Sequence, residues 1–235
     1  PNSCFAALVR TPTENHHGTP HVLEHTVLCG SERYPVRDPF FNMLKRSLST
    51  YMNAWTGPDY TGYPFSTQNP RDFRNLLSVY CDSVFRPLIK MEDFQQEGWR
   101  HTLKDGRLGI EGVVFNEMKG AYEDPDDFFD AQLSKHLYRG CSLENNYGGD
   151  PLAIPDLTHQ ELRNFHAKHY HPSNCTFFLY GQQDLHSFTR SLEEQYLGGF
   201  TPLSPIAVNY RPSIEPVTTK LVYGPAEPPG PNNDK

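Results

Sequence analysis

The residues best placed to do chemistry are His21, Glu24 and His25, which form the pattern His-x-x-Glu-His near the start of the chain. On an α-helix, with roughly 100° of rotation per residue, histidines four positions apart lie about 40° apart on one face. Both imidazoles can therefore reach one metal ion at about 2.0–2.1 Å. Glu24 projects beside this pair, where its carboxylate can hold a water molecule and accept its proton. The alternative is two surface histidines on an amphipathic helix, but composition alone predicts only about 0.03 such patterns in this chain.

A catalytic zinc ion needs three protein ligands and one open position. The candidates for the third ligand are Glu111, Glu117 and Glu123, all placed on a long helix predicted from Glu111 to about Tyr138 with an interruption at Pro125. Spacing alone does not choose among them. A rival cluster of imidazoles, on the end of another predicted helix, comprises His166, His169 and His171.

The elements that must position these residues are predicted from apolar periodicity and turn residues. The motif helix is short, about ten residues, with Thr19 as its cap and with Leu23 and Val27 facing the core. Strands are expected at residues 5–9 and 175–180, and a hairpin over 51–66 turns at Gly57-Pro58-Asp59. Further helices are expected from about 38, from 69, over 158–169 and over 185–196, whereas 95–107 is expected to be a connector. The sum is an α/β (α+β) fold with a mixed, largely antiparallel sheet covered by helices.

Composition limits the class of protein. With 235 residues, 37% hydrophobic content and a net charge of −7, the chain is expected to be globular and not to bind nucleic acid. Its five cysteines are scattered without a Cys-x-x-Cys pair, and no apolar run is long enough for a membrane span. We expect residues 1–200 to form one domain, truncated at its N-terminus, and the Pro-rich residues 201–235 to form a linker toward another domain.

Several long motifs resemble the pitrilysin/insulinase family of zinc metallopeptidases, in particular its members that degrade presequences. The matching segments are residues 21–31, 34–41, 47–50, 63–70, 112–120, 148–151 and 169–174. The resemblance implies that Zn²⁺ is bound by His21, His25 and Glu117, and that Glu24 is the catalytic base. It also implies that Asn53 and Ala54 bind substrate at a sheet edge, flanking the scissile bond. The wider family has an acidic residue that supports the site. The corresponding position here is Ile110, and Glu111 is displaced from that position by one residue.

The implied function is a zinc metalloendopeptidase that hydrolyses short unstructured peptides, such as cleaved targeting presequences, in the mitochondrial matrix. The resemblance also implies a C-terminal half of the same enzyme as a partner, so that this domain alone is expected to be inactive. Two alternatives stay open. One is a non-catalytic scaffold subunit of the insulinase type. The other is a small-molecule lyase with the same zinc motif and a cysteine ligand, for which the candidates are Cys141 and Cys175.

Overall fold

The computed structural model describes residues 1–204, 206–213, 218 and 220. Its strands are β1 Ser3–Arg10, β2 Ser49–Met52, β3 Trp55–Thr56, β4 Tyr60–Thr67, β5 Arg100–Lys104, β6 Arg107–Glu111 and β7 Cys175–Tyr180. Its α-helices are α1 Thr19–Val27, α2 Pro39–Arg46, α3 Pro70–Phe85, α4 Met91–Glu97, α5 Val113–Ala121, α6 Pro125–Leu137, α7 His159–His169 and α8 Leu185–Leu192.

Five strands form the main sheet in the order β2-β4-β1-β7, with β3 also paired to β4. Every pairing in this sheet is antiparallel, including the long β1–β4 ladder from Ser3↔Thr67 to Arg10↔Tyr60. Strands β5 and β6 form a separate antiparallel hairpin. The predicted fold class, a largely antiparallel sheet covered by helices, is confirmed.

The core lies between the sheet and α3, which packs against β1 and β4. The aromatic rings of Phe5, Phe73 and Tyr80 surround Phe65 with centroid distances of 5.5, 5.2 and 5.1 Å. These four side chains are almost completely buried, and such aromatic contacts stabilise a core beyond the area they bury. The sheet is therefore well packed on this face, which limits the movement of the residues at its edge.

The motif helix α1 is a short helix buried on several sides. Leu23 and Val27 are fully buried as predicted, and α1 contacts β3, β4, α4 and α7. The prediction that Thr19 caps the helix is wrong, because the cap is Gly18 in a left-handed conformation with φ of 67°. A Cβ at Gly18 would lie 2.7 Å from the carbonyl oxygen of Gly148, so glycine is needed for both backbone shape and space.

The long helix predicted from Glu111 to Tyr138 does not exist as one element. Glu111 ends strand β6, so it was wrongly placed on a helix. Helix α5 follows, and a turn containing Glu123 separates it from α6. The predicted interruption at Pro125 is confirmed, since Pro125 is the first residue of α6 and the Asp124 side chain accepts a hydrogen bond from the Asp126 amide. Proline lacks an amide hydrogen and is favoured at this first position.

The predicted connector at residues 95–107 is also wrong. Its first part ends helix α4, and the remainder forms most of the β5–β6 hairpin. Asp105 and Gly106 both have positive φ, of 50° and 73°, at the two turn positions of this hairpin. An Asp-Gly pair between two strands is a strong hairpin signal, and it was the available clue.

The remaining elements follow the predictions. The hairpin over β2, β3 and β4 is present, and the Asn69 and Thr158 side chains cap α3 and α7. Strand β7 is present, and the last predicted helix is α8 followed by a π-helical turn, Glu193–Leu197. Residues 205, 214–217, 219 and 221–235 of the predicted linker lie outside the described residues, and the domain boundary stays a prediction. In the described part of the chain, no helix is both long and apolar enough to cross a bilayer.

Candidate metal centre and active site

Three potential metal ligands from two helices meet at one point. His21 and His25 lie one turn apart on α1, with their ring centroids 5.1 Å apart. Glu117, on α5, places Oε1 3.6 Å from Nε2 of His21 and Oε2 3.9 Å from Nε2 of His25. One ligand atom from each residue lies within 4.8 Å of the others. Ligands bound to one tetrahedral ion at about 2.0–2.1 Å are separated by about 3.4 Å, so the three side chains fit a zinc ion after small movements.

The ring orientation of His21 is set by the loop before α7. Its Nδ1 lies 3.0 Å from the carbonyl oxygen of Gly148, an atom that only accepts hydrogen bonds. Nδ1 therefore carries the proton, and the lone pair of Nε2 is directed to the side of Glu117. Since Gly18, at the start of α1, lies against the backbone of Gly148, the helix and the loop that orients its first histidine are held together.

His25 is oriented by Glu97, a residue that sequence reasoning did not identify. Its Nδ1 lies 3.2 Å from Oε2 of Glu97, at the end of α4. Burial acts to lower the pKa of His25, but the hydrogen bond to Glu97 and the nearby carboxylates outweigh burial and raise it. Burial acts to raise the pKa of Glu97, yet hydrogen bonds from His25 and Gln96 lower it. Glu97 thus supports the site, whereas Glu111 forms ion pairs with Arg100 and Lys104 on the outer hairpin.

Replacing Glu97 with Ala is expected to weaken zinc binding by about 10- to 100-fold, because His25 loses the acceptor that fixes its tautomer and ring orientation. Competition with a chromophoric chelator measures this affinity. Glu92→Ala is the matched control, since Glu92 is an exposed carboxylate on the same helix. Equal zinc affinities for the Glu97 and Glu92 variants would contradict the role assigned to Glu97.

Helix α5 brings Glu117 to the histidines because it starts directly against the end of α4. A Cβ at Gly112, the residue before α5, would lie 2.0 Å from the carbonyl oxygen of Gly98. Only glycine allows this approach of the two backbones. The amide of Phe115 in the first turn of α5 also donates to the Gly98 carbonyl oxygen at 3.4 Å. The same junction therefore fixes Glu97 and Glu117 relative to α1.

Glu24 lies beside the three potential ligands, with only 8% of its surface exposed. Its Oε2 accepts a hydrogen bond of 2.6 Å from the hydroxyl group of Thr56 on β3. Glu24, the three potential ligands, Asn53 and Ala54 all line one open cavity of about 800 Å³. Asp127 and Asp130 of α6 add negative charge to the lining, and no Lys or Arg of the described residues contributes to it. The cavity is therefore suited to binding a cation, either a metal ion or a positively charged molecule.

Along the sheet edge beside this cavity, the backbone amide and carbonyl groups of successive residues point alternately toward β4 and away from it. The Asn53 amide donates to the Pro64 carbonyl oxygen at 3.2 Å, and the Gly57 amide donates to the Tyr60 carbonyl oxygen at 2.7 Å. Asn53 and Gly57 thus point inward to β4. Alternation along an antiparallel strand turns the backbone groups of Ala54 and Thr56 to the outer edge. Asn53 and Ala54 are the two residues predicted to bind substrate. The backbone groups of Ala54 face the outer edge, whereas the backbone amide of Asn53 is bonded to β4, so that only the side chain of Asn53 is available for such a contact.

The other candidate ligands are placed elsewhere. Among the described residues, the structure gathers His21, His25 and Glu117 as potential ligands, and not the rival histidines. Nε2 of His166 lies 3.0 Å from the Val84 carbonyl oxygen, and His169 is fully buried. Cys141 and Cys175 also lie outside the group, so the geometry favours a carboxylate over a cysteine as the third ligand.

Curated relatives match most of the length of this chain. The chain is 52% identical over 207 residues to the mitochondrial presequence protease of Mus musculus, covering 86% of this chain and 20% of that protein. It is 45% identical over 237 residues to the mitochondrial presequence protease of Schizosaccharomyces pombe, covering 97% of this chain and 24% of that protein. These matches, over most of this chain, support the pitrilysin/insulinase family. The chain spans about a fifth to a quarter of the length of these relatives.

Solved structures of the pitrilysin/insulinase family share the fold. Pitrilysin matches with a TM-score of 0.64 and 21% identity, over 94% of this chain and 22% of that chain. The ferredoxin protease FusC, in complex with Arabidopsis ferredoxin, matches with a TM-score of 0.69 and 16% identity, over 91% of this chain and 23% of that chain. At these identities the likeness supports the fold only.

A protein-family model described as "Peptidase M16 inactive domain" matches residues 156–233. The three potential metal ligands and Glu24 all precede the matched segment, since Glu117 is the last of them along the chain. The description therefore concerns a part of the chain that does not contain the candidate site. Both relatives compared above are named as mitochondrial presequence proteases.

Proposed function

We propose that this chain is the zinc-binding catalytic domain of a metalloendopeptidase that hydrolyses short unstructured peptides, such as cleaved targeting presequences, in the mitochondrial matrix. The observation that carries the proposal is the convergence of His21, His25 and Glu117 beside the carboxylate of Glu24. The names of the relatives support the reaction class and the kind of substrate. A purely structural domain would have no need for two histidines whose Nδ1 atoms both face acceptors and whose Nε2 atoms face one carboxylate.

Zinc held by His21, His25 and Glu117 would supply Lewis-acid polarisation of the scissile carbonyl group. Glu24 would accept the proton of the attacking water and return it to the leaving amine. Gly148 and Glu97 would keep both imidazoles in the orientation that this arrangement requires. The acidic lining from α6 would favour peptides with Lys or Arg side chains.

The substrate would bind as an additional strand beside β3. The backbone groups of Ala54 and Thr56 face this edge, and backbone hydrogen bonds are largely independent of the peptide sequence. Asn53 would contribute its side chain, whose Nδ2 now donates to the Tyr51 hydroxyl group at 3.2 Å. An extended peptide in this position would lie close to Glu24, which accepts a hydrogen bond from Thr56 of the same strand, and this arrangement would favour unstructured substrates.

The test of this function is hydrolysis of a quenched, unstructured basic peptide by the full-length protein. We expect cleavage that stops on addition of a chelator and resumes with Zn²⁺. The same sequence placed inside a stably folded domain is expected to resist cleavage. A full-length protein that binds zinc but leaves the peptide intact would instead favour the scaffold alternative. Turnover of a small thioether-containing substrate, with no peptide cleavage, would favour the lyase.

The chain without further domains is expected to bind zinc but to cleave the peptide at least about 100-fold more slowly than the full-length protein. Its site has an open cavity, and exclusion of water around the substrate requires closure by another part of the enzyme. Because the relatives are four to five times longer, a C-terminal half is the proposed partner. Adding that half is expected to restore cleavage. Robust chelator-sensitive cleavage by the isolated chain would contradict the two-half mechanism.

A further inference from the structure

The general base proposed above is tied to the substrate-binding edge by one hydrogen bond. The Thr56 hydroxyl group donates to Oε2 of Glu24 at 2.6 Å, across 32 positions of sequence. Among the described residues, Thr56 is the partner that hydrogen-bonds to the Glu24 side chain. The second carboxylate oxygen, Oε1, is therefore available to a water molecule. A donor on one oxygen restricts the rotation of the carboxylate group and of the flexible side chain that carries it.

Thr56 also belongs to the strand edge itself. It is the last residue of the two-residue strand β3, paired with Thr61 of β4. Its backbone groups point to the outer edge, as shown by the inward-facing amides of Asn53 and Gly57 on either side. One residue therefore faces an incoming peptide with its backbone and holds the Glu24 carboxylate with its side chain.

We propose that Thr56 is a positioning residue, which fixes the carboxylate of Glu24 in register with a peptide strand bound beside β3. The inference rests on the proposed peptidase function. A peptide aligned by the backbone of Thr56 is aligned at the same time with the base that Thr56 holds. Without the hydroxyl group, the peptide binds as before but meets a carboxylate that samples several orientations. A small misplacement of a catalytic group lowers a rate by up to about 100-fold.

The test compares Thr56→Val, which removes the hydroxyl group and keeps the shape, with Thr56→Ser, which keeps the hydroxyl group. In the full-length, zinc-loaded protein, Val is expected to lower kcat by about 10- to 100-fold with KM changed less than about twofold. Ser is expected to retain kcat within about threefold of the wild type, and all variants are expected to retain zinc. Thr56→Ala serves as a second hydroxyl-free variant if the Val variant does not fold.

A double-mutant cycle with Glu24→Gln separates positioning of the base from a general structural effect. In the Glu24→Gln background, Thr56→Val is expected to cause no further loss of the residual rate, because the group it positions is already absent. The dissociation constant of the uncleaved peptide, measured by fluorescence anisotropy in the same background, is also expected to stay unchanged. This binding measurement does not depend on turnover.

The outcomes are distinct. If the wild type shows no chelator-sensitive cleavage, the proposed function fails, whatever the Thr56 variants do. If the wild type cleaves and Glu24→Gln retains only a small residual rate, the function stands and Thr56 is tested by itself. In that case the role of Thr56 is overturned by wild-type kcat in the Val variant or by equal losses in the Ser and Val variants. It is also overturned by zinc loss in the Val variant or by additive losses in the double-mutant cycle.

Discussion

Replacing Glu24 with Gln in the full-length protein is expected to reduce peptide hydrolysis to a small residual rate while zinc stays bound. The amide has nearly the same shape and disturbs neither imidazole, but it cannot accept a proton from water. Loss of a general base typically lowers the rate by about 10²- to 10⁴-fold.

The experiment measures kcat for a quenched peptide together with the zinc content of the same preparation. Glu32→Gln is the matched control, since Glu32 is an exposed glutamate outside the cavity. It is expected to retain wild-type turnover. Near-normal hydrolysis by the Glu24 variant, with zinc at full occupancy, would show that another group is the base.

Replacing Glu117 with Ala is expected to weaken zinc binding by more than about 100-fold, beyond the range caused by loss of an outer-sphere partner. Two neutral imidazoles would remain, and the site would lose both its anionic ligand and one of its three coordination bonds. Glu117 is half exposed, with 54% of its side chain accessible, so its removal leaves no buried cavity and the fold is expected to persist.

Zinc content after gel filtration and the thermal midpoint of unfolding distinguish metal loss from unfolding. Glu111→Ala is the matched control, because this carboxylate is only six positions earlier but pairs with Lys104 and Arg100 on the β5–β6 hairpin. It is expected to keep its zinc. Retention of zinc by the Glu117 variant and loss by the Glu111 variant would mean that the wrong carboxylate has been assigned.

The local features of this protein were predictable from its sequence. His21, Glu24 and His25 share one helical turn, so their mutual arrangement depends on helix geometry alone. The caps at Asn69 and Thr158 and the break at Pro125 were likewise predictable, because each depends on hydrogen bonds or steric restrictions within a few residues. Glu117 came from the resemblance to a family, since residue spacing left Glu111 and Glu123 open.

The wrong predictions of helix and connector between residues 95 and 111 arose where the apolar pattern was weak. Residues 100–111 form a hairpin whose facing residues Leu103 and Leu108 are both largely exposed, so no buried face marked the strands. The Asp105-Gly106 turn was the remaining signal, and its consequence is that Glu111 lies on a strand rather than on the helix of Glu117. Apolar periodicity identifies elements by the faces they bury, and it therefore misses an element that buries little.

The sequence by itself determined the chemistry available to α1: two imidazoles on one face and a carboxylate beside them. Only the tertiary structure decided what holds those groups in place. Gly148 orients His21, Glu97 orients His25, and Thr56 holds Glu24, at sequence separations of 127, 72 and 32 residues. These contacts depend on where the α4–α5 junction, the loop before α7 and the sheet edge pack around α1. No local pattern specifies that packing, because it results from the burial of the whole core.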